Sequence, residues 1–154
     1  MTVADRWTLR TDGGARGNPG PAGAGFVLED PTGAIVRSGG KFLGAQTNNV
    51  AEYEAVLWGL RTALDERVRD LCVCADSELV VRQLTGVYKV KKDWLKPLHA
   101  EAVALTRRFD SCEIQHVRRE QNVAADELAN IAMDERRTVG DGVEPPSDSQ
   151  PSLF

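Results

Sequence analysis

Long apolar runs are missing from this 154-residue chain. No stretch approaches the roughly 20 residues that a membrane-spanning helix requires. The N-terminus lacks the basic-then-apolar order of a secretory signal, so a cytoplasmic location without membrane contact is expected. Cysteine is scarce. Cys72, Cys74 and Cys112 are odd in number and lie in apolar, strand-like runs. They read as free, buried thiols of a reducing compartment rather than as disulfides. The Cys-x-Cys spacing does not suit a zinc knuckle. Histidine is scarcer still: His99 and His116 stand alone, and both read as structural. Positive charge is not in excess either. The formal net charge is −4. Residues 138–154 hold Asp141, Glu144 and Asp148 with no Lys or Arg, so the rest of the chain stands near −1. A near-neutral body does not advertise nucleic-acid binding, but an acidic site can hide basic residues placed elsewhere.

What the chain does have is glycine next to acid. Thr11-Asp12-Gly13-Gly14-Ala15-Arg16-Gly17-Asn18-Pro19-Gly20 follows the strand-like Trp7-Thr8-Leu9-Arg10. Asp12 is read at the end of that strand. The glycines and proline are read as a tight loop that breaks it and lets backbone approach a ligand. Asp-Gly is equally a hairpin turn, so Asp12 gains meaning only if further acids occupy matching places.

They do. Two more strands, Ala22–Leu28 and Ala34–Phe42, complete an antiparallel meander. Thr47-Asn48-Asn49 caps a helix whose Tyr53, Val56, Leu57, Leu60 and Leu64 form one apolar face, with Glu52 read in its first turn. Leu71–Ala75 is wholly apolar, as a strand buried on both faces is, and ends in Asp76. A short helix runs from Glu78 to Leu84. A basic loop with two aromatics, Tyr88 to Trp94, leads to another helix over roughly Leu95–Phe109. After a last strand, Cys112–Val117, the loop Arg118–Asn122 leads into a helix carrying Asp126 in its first turns. The order βββαβα(α)βα implies a mixed sheet flanked by helices. Four converging carboxylates would repel one another unless cations lay between them. Hard divalent ions with oxygen ligands, Mg²⁺ or Mn²⁺, suit such a cluster, and a pair of them suits displacement at phosphorus.

Four segments together resemble the type 1 ribonuclease H family: Thr-Asp-Gly-Gly-x-x-Gly-Asn-Pro-Gly-Pro-x-Gly at 11–23, Thr-Asn-Asn-x-Ala-Glu-Tyr-x-Ala at 47–55, Asp-Ser-x-Leu-Val at 76–80 and Asn-x-x-Ala-Asp-x-Leu-Ala at 122–129. The resemblance implies an α/β, ribonuclease H-like five-stranded sheet, three strands antiparallel and then parallel ones, over residues 1–137. It implies hydrolysis of the RNA strand of RNA–DNA hybrids, leaving 5′-phosphate and 3′-hydroxyl ends, largely without regard to sequence. Asp12, Glu52, Asp76 and Asp126 would hold two Mg²⁺ or Mn²⁺ ions, with Asp12 between both, Asp126 on the water-activating side, and Glu52 and Asp76 on the leaving-group side. Gly13, Gly14, Asn18, Thr47 and Asn49 would contact the hybrid. In place of a loop histidine found in many members, this chain has Arg119, or alternatively Arg118; arginine cannot shuttle protons. The short loop with Lys89, Lys91 and Lys92 would stand in for a larger basic handle. A non-catalytic binding module on the same fold, or a nuclease acting on double-stranded RNA or RNA–DNA junctions, are the competing classes.

Residues 138–154 are read as a disordered acidic tail. It ends Gln150-Pro151-Ser152-Leu153-Phe154, which resembles peptides that dock on sliding clamps. Gln150, Leu153 and Phe154 would be the anchors. A monomer is expected, with no separate hybrid-binding domain ahead of the nuclease.

Overall fold

The computed structural model describes residues 5–143. Gln150, Leu153 and Phe154 lie outside the described residues. Six strands form one mixed sheet: β1 (Trp7–Ala15), β2 (Gly20–Glu29), β3 (Ile35–Gln46), β4 (Asp70–Ala75), β5 (Ser111–His116) and β6 (Val139–Gly140), in the order β5-β4-β1-β2-β3-β6. β1, β2 and β3 pair antiparallel, while β4 runs parallel to both β1 and β5. Among the described residues the α-helices are α1 (Asn48–Asp65), α2 (Glu78–Leu84), α3 (Lys96–Thr106) and α4 (Val123–Glu135). Among the described residues, no helix is long and apolar enough to cross a membrane.

The apolar β4 is buried at all six positions, as its composition requires for a strand between two parallel neighbours. α1 has Thr47 as its N-cap, the hydroxyl accepting from Val50 N at 3.2 Å. Tyr53, Val56, Leu57 and Leu60, each at most 1% exposed, bury its face against Leu9, Phe26, Leu28, Leu71 and Val73. Trp58 meets Phe26 edge-on, with ring centroids 4.9 Å apart. Full burial of side chains of this size contributes about 1.5–3 kcal/mol each, which makes α1 the element on which the sheet is assembled.

Three expectations need correcting. First, the glycine stretch does not break β1. The strand runs through Asp12, Gly13 and Gly14 to Ala15, paired residue for residue with β2 as far as Ala22. What glycine supplies here is room. A Cβ on Gly13 would strike the backbone of Ala51 and Glu52 in α1, and one on Gly25 would strike Ala125 and Ala129 in α4. The real loop lies further on, where Gly17 takes φ +92° and Asn18–Pro19 is cis. Second, the sheet has six strands rather than five. The fold continues beyond residue 137, where the tail was expected to begin. Val139–Gly140 pairs with Gly39–Gly40. Asp141 then accepts from Ser38 N at 2.9 Å through Oδ1, and from Arg37 Nε at 2.9 Å through its carbonyl. Val143 N donates to Thr62 Oγ1 at 3.0 Å. Backbone pairing and one aspartate hold a segment whose apolar content is too low to reveal it. Third, Glu52 stands in the second turn of α1, not its first, because the helix starts at Asn48.

Candidate active site

β1 and β4 pair in register from Trp7↔Leu71 to Thr11↔Ala75 and then part. Asp12 is the next residue on β1 and Asp76 the first beyond the end of β4, so both acids stand where the ladder opens. α1 brings Glu52 to the same gap. Its carboxylate accepts from Gly13 N at 2.5 Å, an approach that the missing Cβ of Gly13 permits. Ligand oxygens of Asp12, Glu52 and Asp76 all lie within 4.8 Å of one another. Asp126 arrives from the first turn of α4, which crosses the same face of the sheet as Asp12. These four acids share a cleft of about 420 Å³ with Gly13, Gly14, Asn48, Asn49 and Arg119.

The electrostatics of the cluster are strained. Burial, a hydrogen bond with Asp126 and the charges of Glu52, Asp76 and Asp126 push the Asp12 carboxyl up to about 10. Burial and the charge of Asp76 push Glu52 up to about 8, against the opposing hydrogen bonds from Gly13 N, Asp12 and Ser77. Asp12 and Glu52 are 9% and 8% exposed. Among the described residues no Lys or Arg forms an ion pair with any of these three clustered acids. Carboxylates gathered without a cation and held near protonation fit an oxygen-ligated divalent metal, which would supply the missing positive charge. Asp12, Glu52 and Asp76 form the tight group; Asp126 borders the cleft from the other side.

The remaining sequence-derived residues divide. Gly13, Gly14 and Asn49 line the acid cleft. Arg119 does so too, whereas Arg118 lines only the adjoining cavity with Asp76, His116 and Glu120. Lys89, Lys91 and Lys92 line a separate hollow of about 520 Å³ with Leu79, Val87, Tyr88 and Leu95, and Asn49 borders both. Asn18 and Thr47 line neither. Asn18 Oδ1 accepts from Asn48 N at 3.0 Å, and Thr47 caps α1, so both oxygens hold the helix start. His99 has a partner after all: Nε2 lies 3.0 Å from the Gln83 carbonyl, and its ring stands edge-on to Tyr53. The thiols of Cys72 and Cys74 are free and buried, 3.9 Å apart, and Cys112 is free and half-buried.

Sequence reasoning missed Asn48 as a site residue. Its Oδ1 accepts from Ala15 N at 2.8 Å and ties α1 to the end of β1. It also missed Asn130, which faces the cleft one turn beyond Asp126 and donates to the Asp126 carbonyl at 3.0 Å. Only helical spacing from Asp126 could have pointed to the latter.

A mixed sheet whose central strands part around a carboxylate cluster, with one helix supplying an acid from each face, defines the ribonuclease H-like class of fold. A family model described as "Reverse transcriptase-like" matches residues 10–132. Ribonuclease HI of Halobacterium salinarum is 44% identical over 124 residues, which are 80% of this chain and 62% of that protein. A bifunctional protein of Mycobacterium tuberculosis is 42% identical over 127 residues, which are 82% of this chain but 35% of that one. The chain thus spans less than two thirds of the length of these relatives. The crystal structure of the Halobacterium RNase H1 superposes with a TM-score of 0.82 at 42% identity, covering 84% of this chain and 98% of that one. An RNase H1 crystallised in complex with an RNA/DNA hybrid gives 0.78 at 41% identity, covering 84% and 98%. The chain belongs to the type 1 ribonuclease H family.

Proposed function

We propose that the protein is an endonuclease that hydrolyses the RNA strand of RNA–DNA hybrids with the help of two divalent cations. The observation that carries this reading is the placement of Asp12, Glu52 and Asp76 within 4.8 Å of one another in an open cleft that Asp126 also lines. A relative at 41% identity has been crystallised with an RNA/DNA hybrid. Asp12, Glu52 and Asp76 would hold one ion, and Asp12 with Asp126 the other. Bound Mg²⁺ or Mn²⁺ would supply Lewis-acid charge at the scissile phosphate, favouring 5′-phosphate and 3′-hydroxyl products.

The chain's own groups do the rest. Gly13 N–H holds Glu52 in place, and the backbone of Gly13 and Gly14, which lines the cleft, would meet the RNA strand. Selection for RNA would come from 2′-hydroxyls meeting Asn49, the Glu52 carboxylate and this backbone. Arg119, exposed at the rim, offers a fixed positive charge to a phosphate and no proton. The hollow lined by Lys89, Lys91 and Lys92 would take backbone phosphates of the hybrid, positioning it without reading sequence.

The test incubates a labelled hybrid, an RNA duplex, an RNA–DNA junction and a DNA duplex with the protein and Mg²⁺ or Mn²⁺, and resolves the products on a gel. Cleavage of the hybrid's RNA strand, lost on Asp76→Asn, is expected; full activity of Asp76→Asn would refute the assignment. As a second element of the same reading, residues Gln150–Phe154 are proposed to dock on a sliding clamp through Leu153 and Phe154. Deleting them should abolish clamp binding in calorimetry and spare cleavage of a short hybrid. Equal clamp affinity without them would sink that part.

A further inference from the structure

We infer that Arg10 and Asn122, which lie outside the acid cluster, are a matched pair of positioning residues. They seat the Arg119 turn and the start of α4 on β1, and so fix where Arg119 and Asp126 stand relative to Asp12. The inference rests on the nuclease reading above.

The geometry is reciprocal. Asn122 is 0% exposed, and its Nδ2 donates to the Thr11 carbonyl at 2.6 Å, linking positions 111 residues apart in the chain. Thr11 immediately precedes Asp12 and is the last β1 residue paired with β4. One residue back on each side, the bond runs the other way: Arg10 Nη1 donates to the Gln121 carbonyl at 2.9 Å. Arg10 Nε also donates to Glu29 Oε2 on β2 at 3.1 Å, which holds the guanidinium along the sheet. Two adjacent residues of β1 are thereby joined to two adjacent residues at the end of the 3₁₀ turn (Arg119–Gln121).

From this joint the backbone reaches both functional side chains. Asn122 N donates to the Arg119 carbonyl at 2.9 Å, and the Asn122 carbonyl accepts from Asp126 N at 3.1 Å. Strand alternation puts Arg10 and Asp12 on the same face of β1, the face that α4 crosses. α4 itself has no side-chain N-cap: Asn122 occupies the cap position, but its side chain is turned so that Nδ2 meets Thr11, and its Oδ1 is left buried without a partner instead of accepting from the first turn. A residue type favoured for capping, used instead to bridge elements, indicates that placing this helix outweighs stabilising its end. Misplacing a reacting group by about 1 Å can lower turnover by about 10²-fold.

The orientation of the Asn122 amide is fixed, because the Thr11 carbonyl can only accept. Asn122→Asp therefore keeps the shape and turns the bond into a repulsion. It should lower kcat on a hybrid substrate by about 10²-fold, with KM within threefold of the parent. Arg10→Met, which removes the second tie without entering the cleft, should lower kcat by about tenfold. Mn²⁺ binding by the protein alone, followed by the electron paramagnetic resonance of free Mn²⁺, should weaken by about tenfold in Asn122→Asp. That readout needs no substrate, so it stands even if the hybrid is not what this protein cuts. Arg37→Met serves as the control. It breaks a sheet ion-pair network with Asp65, Glu66 and Asp141, and should lower the melting temperature without changing kcat or Mn²⁺ affinity. If Asn122→Asp does not fold, Arg10→Met decides. Folded variants with kcat within threefold of the parent and unchanged Mn²⁺ affinity would overturn the inference, as would a kcat loss in Arg37→Met equal to that in Arg10→Met.

Discussion

Replacing Asp12 by Asn should make the metal-free protein more stable while ending its proposed chemistry. The Asp12 carboxyl rises from 3.8 to about 10 in the folded chain, through burial, its hydrogen bond with Asp126 and the neighbouring charges. At pH 8 the folded protein therefore keeps a proton that the unfolded chain has lost. Stability supplied by a raised pKa is complete below the unfolded value and declines as pH climbs towards the folded one. At about 1.4 kcal/mol per pH unit, the interval from 3.8 to pH 8 would cost about 6 kcal/mol if the whole shift were expressed. Water entering an open cleft reduces that severalfold, leaving about 2 kcal/mol for Asn to recover. In a domain of this size that corresponds to about 4–8 °C in melting temperature. The assay is thermal unfolding by circular dichroism in EDTA between pH 5 and 9. Wild type should lose stability from pH 6 to 9, because Glu52, pushed up to about 8, moves in the same direction. Asp12→Asn should show a flatter profile lying above it. Saturating Mg²⁺ should raise the wild-type melting temperature by mass action and leave the variant nearly unchanged. Equal melting temperatures in EDTA at pH 8, or a wild type that gains stability from pH 6 to 9, would refute the reasoning.

The other predictions concern packing, substrate binding and the sixth strand. Gly25→Ala should drive α4 off the sheet, since a Cβ there lies 2.8 Å from Ala129 N and closer still to Ala125 O. A loss of about 1–3 kcal/mol in urea unfolding and a lower kcat are expected. The triple change Lys89→Ala, Lys91→Ala and Lys92→Ala should raise KM for a hybrid, spare kcat, and flatten the salt dependence of binding by about 0.9 in log–log slope for each phosphate that is no longer neutralised. Truncation after Arg137 should cost about 2 kcal/mol and shift Trp58 emission to the red, because Gly142 packs directly on that indole.

The elements built from apolar periodicity were legible. β4 announces itself by an unbroken apolar run, and α1 by the spacing of Tyr53, Val56, Leu57 and Leu60. The four acids were legible through the segments around them, even though Asp12 lies within β1 and Glu52 in the second turn of α1 rather than at element boundaries. The glycines were not. A glycine can be present because φ must be positive or because a Cβ would collide, and one sequence does not distinguish these causes. Gly17 is the first case; Gly13 and Gly25 are the second, so the stretch read as a loop is largely strand. The roles of Asn18 and Thr47 were obscured in the same way, because a polar side chain that grips a ligand and one that holds a helix start are the same residue types. The sixth strand escaped notice because its ties are backbone pairs and an aspartate, with no apolar period to follow.

The docking of Val143 on Thr62 sets a spacing in the molecule. Glu52 and Thr62 are ten residues apart on one helix, about 15 Å along its axis. Val143 is therefore held at the end of α1 remote from the acids. A rigid rod, not a loop, separates the acids from the point where Val143 is tied.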